Sequence, residues 1–224
     1  MYLPDRQACL EYEFVAKLTP EAYEARMNQG WRKFGHLLFH PVCSACKECR
    51  PIRLRVNHFR PNRSQRRCAK RNADLEVRIG PPTLDTERLE LYRRYHVAQT
   101  EMKAWPDQEV SVSDYAFTFV HSPLPTAEIS VWEDSTLLAV ALVDLTPNVV
   151  SAVYHYYDPD HAQRSLGTFT LLQVIDFARV QNKHWVYFGY YVAGCSSMVY
   201  KGRFQPSEVL GPDGVWQPLA TKPA

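Results

Sequence analysis

No stretch of the 224-residue chain approaches the ~20 consecutive apolar residues that a membrane-spanning helix needs. The opening MYLPDRQACLEYEF lacks a basic start and an unbroken apolar core, so it does not read as a secretory signal. Internal repeats and low-complexity tracts are missing too. A cytoplasmic protein is the expectation. There the six cysteines stay reduced, and a cysteine cluster reads as a metal or redox site rather than a disulfide framework. Hydrophobic residues make up 46% and charged residues 22%, enough apolar material for a core in one large domain or two small ones.

Acidic residues are missing from positions 50–71, which hold Arg50, Arg53, Arg55, Arg60, Arg63, Arg66, Arg67, Lys70 and Arg71. With nine of the 26 cations there, the remaining 17 are outnumbered by the 24 acids, so a net charge of only +2 hides a concentrated basic segment. Drawn on a helix, Arg63, Arg66, Arg67, Lys70 and Arg71 recur at spacings of three and four and form one broad face. Such a face rewards phosphate contact through counterion release. A solvated helix face is the plainer reading, and 22 residues without an acid argue against it.

Patterning predicts a mixed α/β protein. Thr19-Pro20-Glu21 is a helix start, with Gly30 as the stop. Phe34–Phe39 reads as one short strand, Ile52–Val56 as a strand with a wet cationic face, and 62–72 as a basic helix. Leu75–Ile79 is a strand, 83–103 a helix, and a second helix starts near Ser113. From Ala127 three strands follow, turning at Asp134-Ser135 and Pro147-Asn148. A loop, an apolar helix over 168–181, a strand over 185–190 and an unpatterned tail complete the chain.

Cys43, Cys46 and Cys49 are separated by two-residue gaps that place three thiols on one turn, as zinc or an iron–sulfur cluster requires. Cys9, His36, His40 and Cys68 are candidates for a fourth ligand. A cysteine-rich turn that binds nothing is the alternative. Arg164-Ser165-Leu166-Gly167 sits where a strand passes through a loop into a helix, and the free N–H groups there attract anions. One glycine is a weak signal for that. Tyr187, Tyr190, Lys201 and Arg203 lie in a segment of aromatics, glycines and cations suited to stacking a base and gripping an anion, or to forming a core strand and a turn.

In order along the chain, several motifs resemble the arginyl/leucyl-tRNA–protein transferase family, nearest its bacterial aspartate/glutamate leucyltransferase branch. They are Tyr2-Leu3-Pro4-Asp5-Arg6, the three cysteines with Arg53, and Phe59-Arg60-Pro61-Asn62-Arg63-Ser64-Gln65-Arg66-Arg67. Leu91-Tyr92-Arg93-Arg94-Tyr95, Leu138 to Asp144, Arg164 to Gly167, and Met198-x-Tyr200-Lys201 follow. Relatives carry a further cysteine just before Tyr2, where Met1 stands here, and often have basic residues in place of Ser196-Ser197.

The resemblance implies a cysteine-containing N-terminal domain over 1–72 and an N-acetyltransferase-like (GNAT-type) domain over 73–224. It implies transfer of leucine from Leu-tRNA to proteins beginning with Asp or Glu, marking them for N-degron proteolysis. Leucine rather than arginine as donor rests on likeness to the bacterial branch. The tRNA-binding expectation falls on Arg60, Arg63, Arg66, Arg67, Lys70 and Arg71. The substrate pocket is expected from Arg164, Ser165, Leu166, Gly167, Tyr187, Tyr190, Lys201 and Arg203, with Arg203, Lys201 and Arg164 as partners for an acidic acceptor. Asp144 and His155 are candidates for proton transfer. Transfer itself needs no cofactor, and zinc, an iron–sulfur cluster or haem is a possible occupant of the cysteines. Two other functions fit parts of the sequence. An acyl-CoA N-acetyltransferase would use the 163–168 loop, although one glycine is fewer than such enzymes usually present. A non-catalytic RNA-binding or redox module would use the basic run and the cysteines alone.

Overall fold

The structure is a computed structural model that describes residues 3, 6–103 and 111–220. Tyr2, Pro4 and Asp5 of the first motif lie outside the described residues. The elements run β1 (Leu10–Phe14), α1 (Pro20–Asn28), β2 (Arg32–Phe34), β3 (Leu37–Pro41), β4 (Arg50–Arg55), α2 (Arg63–Arg71) and β5 (Glu76–Gly80). They continue α3 (Thr86–Lys103), α4 (Val112–Tyr115), β6 (Thr126–Glu133), β7 (Thr136–Leu145), β8 (Val149–Tyr157), α5 (Leu166–Val180), β9 (Trp185–Tyr191), β10 (Ser207–Leu210) and β11 (Trp216–Pro218). No helix among the described residues is long and apolar enough to cross a membrane.

Eight strands form one mixed sheet in the order β11-β10-β4-β9-β8-β7-β6-β5, and β1-β3-β2 form a second, small sheet. Side chains alternate across a strand, and β7 uses both faces. Its Ala141 and Val143 pack with α5, while Val140 and Leu142 pack with α3 residues Leu89, Leu91 and Tyr95. A strand covered on both sides reads as the continuous apolar run LLAVALV. α5 is buried nearly all round, from Leu166 to Ala178, because α2 packs over it. The small sheet and α1 bury Val15, Tyr23, Met27 and Leu38 against Val149 and Tyr187 of the large sheet.

Local chemistry explains where the elements begin. Thr19 caps α1 by accepting from the Ala22 amide at 3.2 Å, as its spacing to Pro20 predicts. Asn62 and Gln65 close a reciprocal capping box on α2. The expected strand over 34–39 is instead a hairpin, because Gly35 turns the chain with φ +58 between β2 and β3. The tail contributes β10 and β11, which pair beside β4 and extend the sheet. Thus β4, from the first of the two expected domains, lies inside the large sheet between β10 and β9.

Candidate functional site

β8 and β9 run parallel, but they are paired only from Val149↔Trp185 to Ser151↔Tyr187. Beyond Ser151 they part, which leaves Ala152, Val153, Tyr154, His155 and Tyr157 half-exposed. Two features accompany the parting. β9 carries a bulge opposite β4, where the register jumps between Pro51 and Arg53, and Gly189 within it has φ +85. Two cationic side chains also reach into the gap. Arg32 donates to the Ala152 carbonyl on β8 at 2.9 Å, and Lys201 donates to the Tyr190 carbonyl on β9 at 2.7 Å.

One wall of this opening is formed by β8, the start of α5 and the 3-10 turn Val199–Arg203. The His155 ring lies 6.3 Å from both Tyr157 and Tyr200. Gly167, in the first turn of α5, lies against Tyr157, and a methyl group there would stand 2.8 Å from the ring. Glycine is required by that close approach, not by backbone shape. The left-handed residue of the loop is Ser165, with φ +55. The start of α5 thus lies beside Tyr157, and a helix N-terminus favours negative charge.

The basic helix abuts the same corner. Gln65 donates to the Arg203 carbonyl at 3.1 Å, and Asn72 donates to the Arg164 carbonyl at 2.9 Å. Cys68, also on α2, lies against the Arg164 and Ser165 carbonyls, and Arg71 donates to the Gln163 carbonyl. Arg60, Arg63, Arg66, Arg67, Lys70 and Arg71 are all exposed. No acid occupies the first turn of α2. The buried side of α2, Gln65, Cys68 and Asn72, thus packs on the segments carrying Arg164 and Arg203, and the cations lie on its exposed side.

Residues 1–67 match the family described as arginine-tRNA-protein transferase, N terminus, and residues 87–211 match its C terminus. The chain belongs to this family. The transferase is 33% identical over 210 residues to an aspartate/glutamate leucyltransferase of Campylobacter jejuni subsp. jejuni (strain 81-176), covering 93% of this chain and 88% of that protein. It is 40% identical over 193 residues to one of Stenotrophomonas maltophilia (strain K279a), covering 83% and 76%. In fold it is similar to FemX, with a TM-score of 0.56 at 9% identity over 84% of this chain and 66% of that one.

Several expected site residues of the transferase have side chains that are buried or already paired. Tyr187 is buried, donating to Asn28 at 2.8 Å and accepting from Arg53 at 3.2 Å. The Tyr190 hydroxyl donates to the Gly30 and Phe39 carbonyls. Neither ring stands free to stack a base. Arg164 is taken up by Asp74, in two bonds, and by Glu133. Arg203 is exposed at the rim, and Leu166 is buried in the core.

Asp144 is fully buried and pairs with Lys33 at 3.3 Å. Burial pushes its carboxyl up, against Lys33, Thr126 and Arg32, which draw it down. It sits in a polar layer beneath the opening, with the Tyr23 and Ser151 hydroxyls 3.3 Å apart in the same layer. Lys201 is buried as well, and burial pushes its ammonium down to about 7.

Arg53 shows that the basic run is not all one surface. It lies between Trp185 and Trp216, 4.0 and 4.1 Å from their centroids, and bonds Glu208 at 2.7 Å. The expected wet face of β4 is here a closed stack.

Cys43, Cys46 and Cys49 line a separate cavity of about 230 Å³ with His40, Lys47, Arg50 and Tyr190. Hydrogen bonds from the Glu48 backbone and Arg6 lower the Cys46 thiol, while burial raises that of Cys49. Among the described residues no group of three His, Cys, Asp or Glu side chains is gathered as a metal ion requires.

Proposed function

We propose that this transferase moves leucine from Leu-tRNA to the N-terminal amine of proteins that begin with Asp or Glu, as the names of its bacterial relatives describe. The observation that carries this reading is the contact between α2 and the β8/β9 opening through Gln65 and Arg203. One exposed cationic helix and one pocket fit the two ends of a charged acceptor arm. We read the large sheet as GNAT-type, with the parted parallel pair receiving the acyl group. The protein would act in the cytoplasm, where charged tRNA is found.

The chemistry is aminolysis of an ester. The neutral α-amine of the acceptor attacks the leucyl carbonyl, a C–N bond forms, and the C–O bond to the ribose breaks. The ribose hydroxyl leaves with the proton that the amine gives up. An unperturbed α-amine has a pKa of roughly 7.7–8.0, so a useful neutral fraction exists at pH 7 and positioning supplies much of the rate. His155, half-exposed between Tyr157 and Tyr200, is placed to relay that proton. Amides at the start of α5 would stabilise the oxyanion or a terminal phosphate.

The test supplies purified protein with leucyl- or arginyl-tRNA and a peptide beginning with Asp. Mass spectrometry then reads whether a leucyl or arginyl residue is added, or neither.

A further inference from the structure

Arg32 belongs to none of the motifs, yet it is one of the most deeply placed cations in the molecule, only 4% exposed. One terminal nitrogen is satisfied by the Ala152 carbonyl. The other, Nη1, is buried with no hydrogen-bond partner among the described residues. A buried guanidinium nitrogen left unpaired is costly and calls for an explanation.

Its surroundings make the cost larger. A methyl group placed on Gly189 would lie 3.6 Å from Lys201 Nζ and 3.8 and 3.9 Å from Arg32 Nη2 and Nε. Both cations thus stand at ordinary contact distance from that point, at a glycine whose φ of +85 admits few other residues. Lys33 is buried nearby and is the residue that pairs with Asp144. Beside Asp144 the layer thus holds Arg32 and Lys33, with Lys201, whose ammonium burial pushes down to about 7, close to Arg32. Buried charge of one sign in excess awaits a counter-charge.

We propose that Arg32, beside Lys201 at Gly189, binds through its unpaired Nη1 the side-chain carboxylate of the acceptor's N-terminal Asp or Glu. This rests on the transfer reading above and assigns its acceptor pocket. The ligand is a carboxylate on a slender chain end. A phosphodiester flanked by two riboses does not reach a guanidinium this deeply covered, and exposed α2 already serves phosphates. Placement between β8 and β9 also leaves the acceptor amine near the corner where His155 and the start of α5 meet. Arg32 acts as a specificity-determining residue, and a guanidinium suits a carboxylate with two parallel bonds.

The experiment compares wild type, Arg32→Gln and Arg32→Lys on peptides that begin with Glu or with Gln, at saturating leucyl-tRNA. Wild type is expected to prefer Glu by about 100-fold or more, since a site built for a polar group rejects its isostere strongly. Arg32→Gln should remove most of that preference by raising KM for the Glu peptide far more than for the Gln peptide or for leucyl-tRNA. Arg32→Lys should lie between. Equal losses on both peptides, a retained Glu preference, or an effect confined to the tRNA KM would each overturn the proposal. Should Arg32→Gln fail to fold, as a melting curve shows, Arg32→Lys decides by the same split. Should wild type transfer nothing from either leucyl- or arginyl-tRNA, binding of a fluorescent Glu peptide separates the two ideas. Affinity that Arg32→Gln removes keeps the carboxylate site and discards the transfer reading, and no affinity discards the site.

Discussion

The Gln65 side chain donates to the Arg203 carbonyl at 3.1 Å, and that bond fastens the basic helix to the turn carrying Tyr200 and Lys201. The same glutamine closes the capping box with Asn62. One residue thus sets both where α2 starts and what it touches.

Arg63 begins α2 at its positive end, where an acid would stabilise the helix by about 0.3–1 kcal/mol and a cation does the reverse. Folding alone does not explain that choice, and the proposed phosphate contact would. Arg63→Glu is expected to raise the melting temperature slightly while weakening tRNA binding. Replacing Arg63, Arg67 and Lys70 together by Ala should lower the slope of log K against log salt by about 2–3. Filter binding across a salt series checks this, and an unchanged slope would remove α2 from the tRNA surface.

Arg53, within the same basic run, should behave oppositely. Its two Trp faces and its bond to Glu208 make Arg53→Ala cost about 2–3 kcal/mol of stability. Lysine should not restore it, because the planar group is what stacks. The salt slope for tRNA should stay the same. Chemical denaturation measures the first effect and the binding series the second.

Gly167→Ala gains roughly 0.5–1 kcal/mol of helix propensity and loses about 1–3 to overpacking against Tyr157, so a small net loss of stability is expected. The displaced ring belongs to the opening, so kcat/KM should fall by more than the stability change implies. Tyr157→Leu should restore part of the stability lost to Gly167→Ala. A double-mutant cycle with no coupling would contradict the contact.

Lys201 gives the stability a signed dependence on pH. Its pKa falls to about 7 in the fold, against an ordinary value near 10.5. Between those values the unfolded chain holds the proton that the folded one lacks, so stability should rise with pH from about 7 towards 10. Below 7 both forms are protonated and the contribution levels off at its least favourable. Arg32 lowers this pKa and Cys195 raises it. Lys201→Met should flatten the rise in a denaturation series, and an unchanged profile would show that Lys201 is not its source.

Much of this layout is legible in the sequence because its signals are local. The α1 cap, the basic α2, the meander of β6 to β8 and the apolar α5 follow from capping residues and from periods of 3.6 and 2. β10 and β11 were illegible because short strands added to β4 depend on a distant partner rather than on their own pattern. The hairpin at Gly35 was missed because FGHLLF reads as one apolar run. In the site, the loop at Arg164–Gly167 and the cation Lys201 carry motifs, whereas the burial of Tyr187 and Tyr190 and the unpaired Arg32 arise from tertiary packing. The one available signal for Arg32 was a pair of cations, Arg32-Lys33, in a segment that begins with Gly30-Trp31.

One aminoacyl-tRNA is expected to span α2 and the β8/β9 opening. Photo-crosslinking from leucyl-tRNA with a reactive terminal adenosine tests it most directly, with peptide mapping of the attached residues. Attachment is expected around His155, Tyr157 and Tyr200, and it should be lost when the α2 cations are replaced. Attachment at the cysteine-lined cavity instead, or at the opening irrespective of α2, would contradict it.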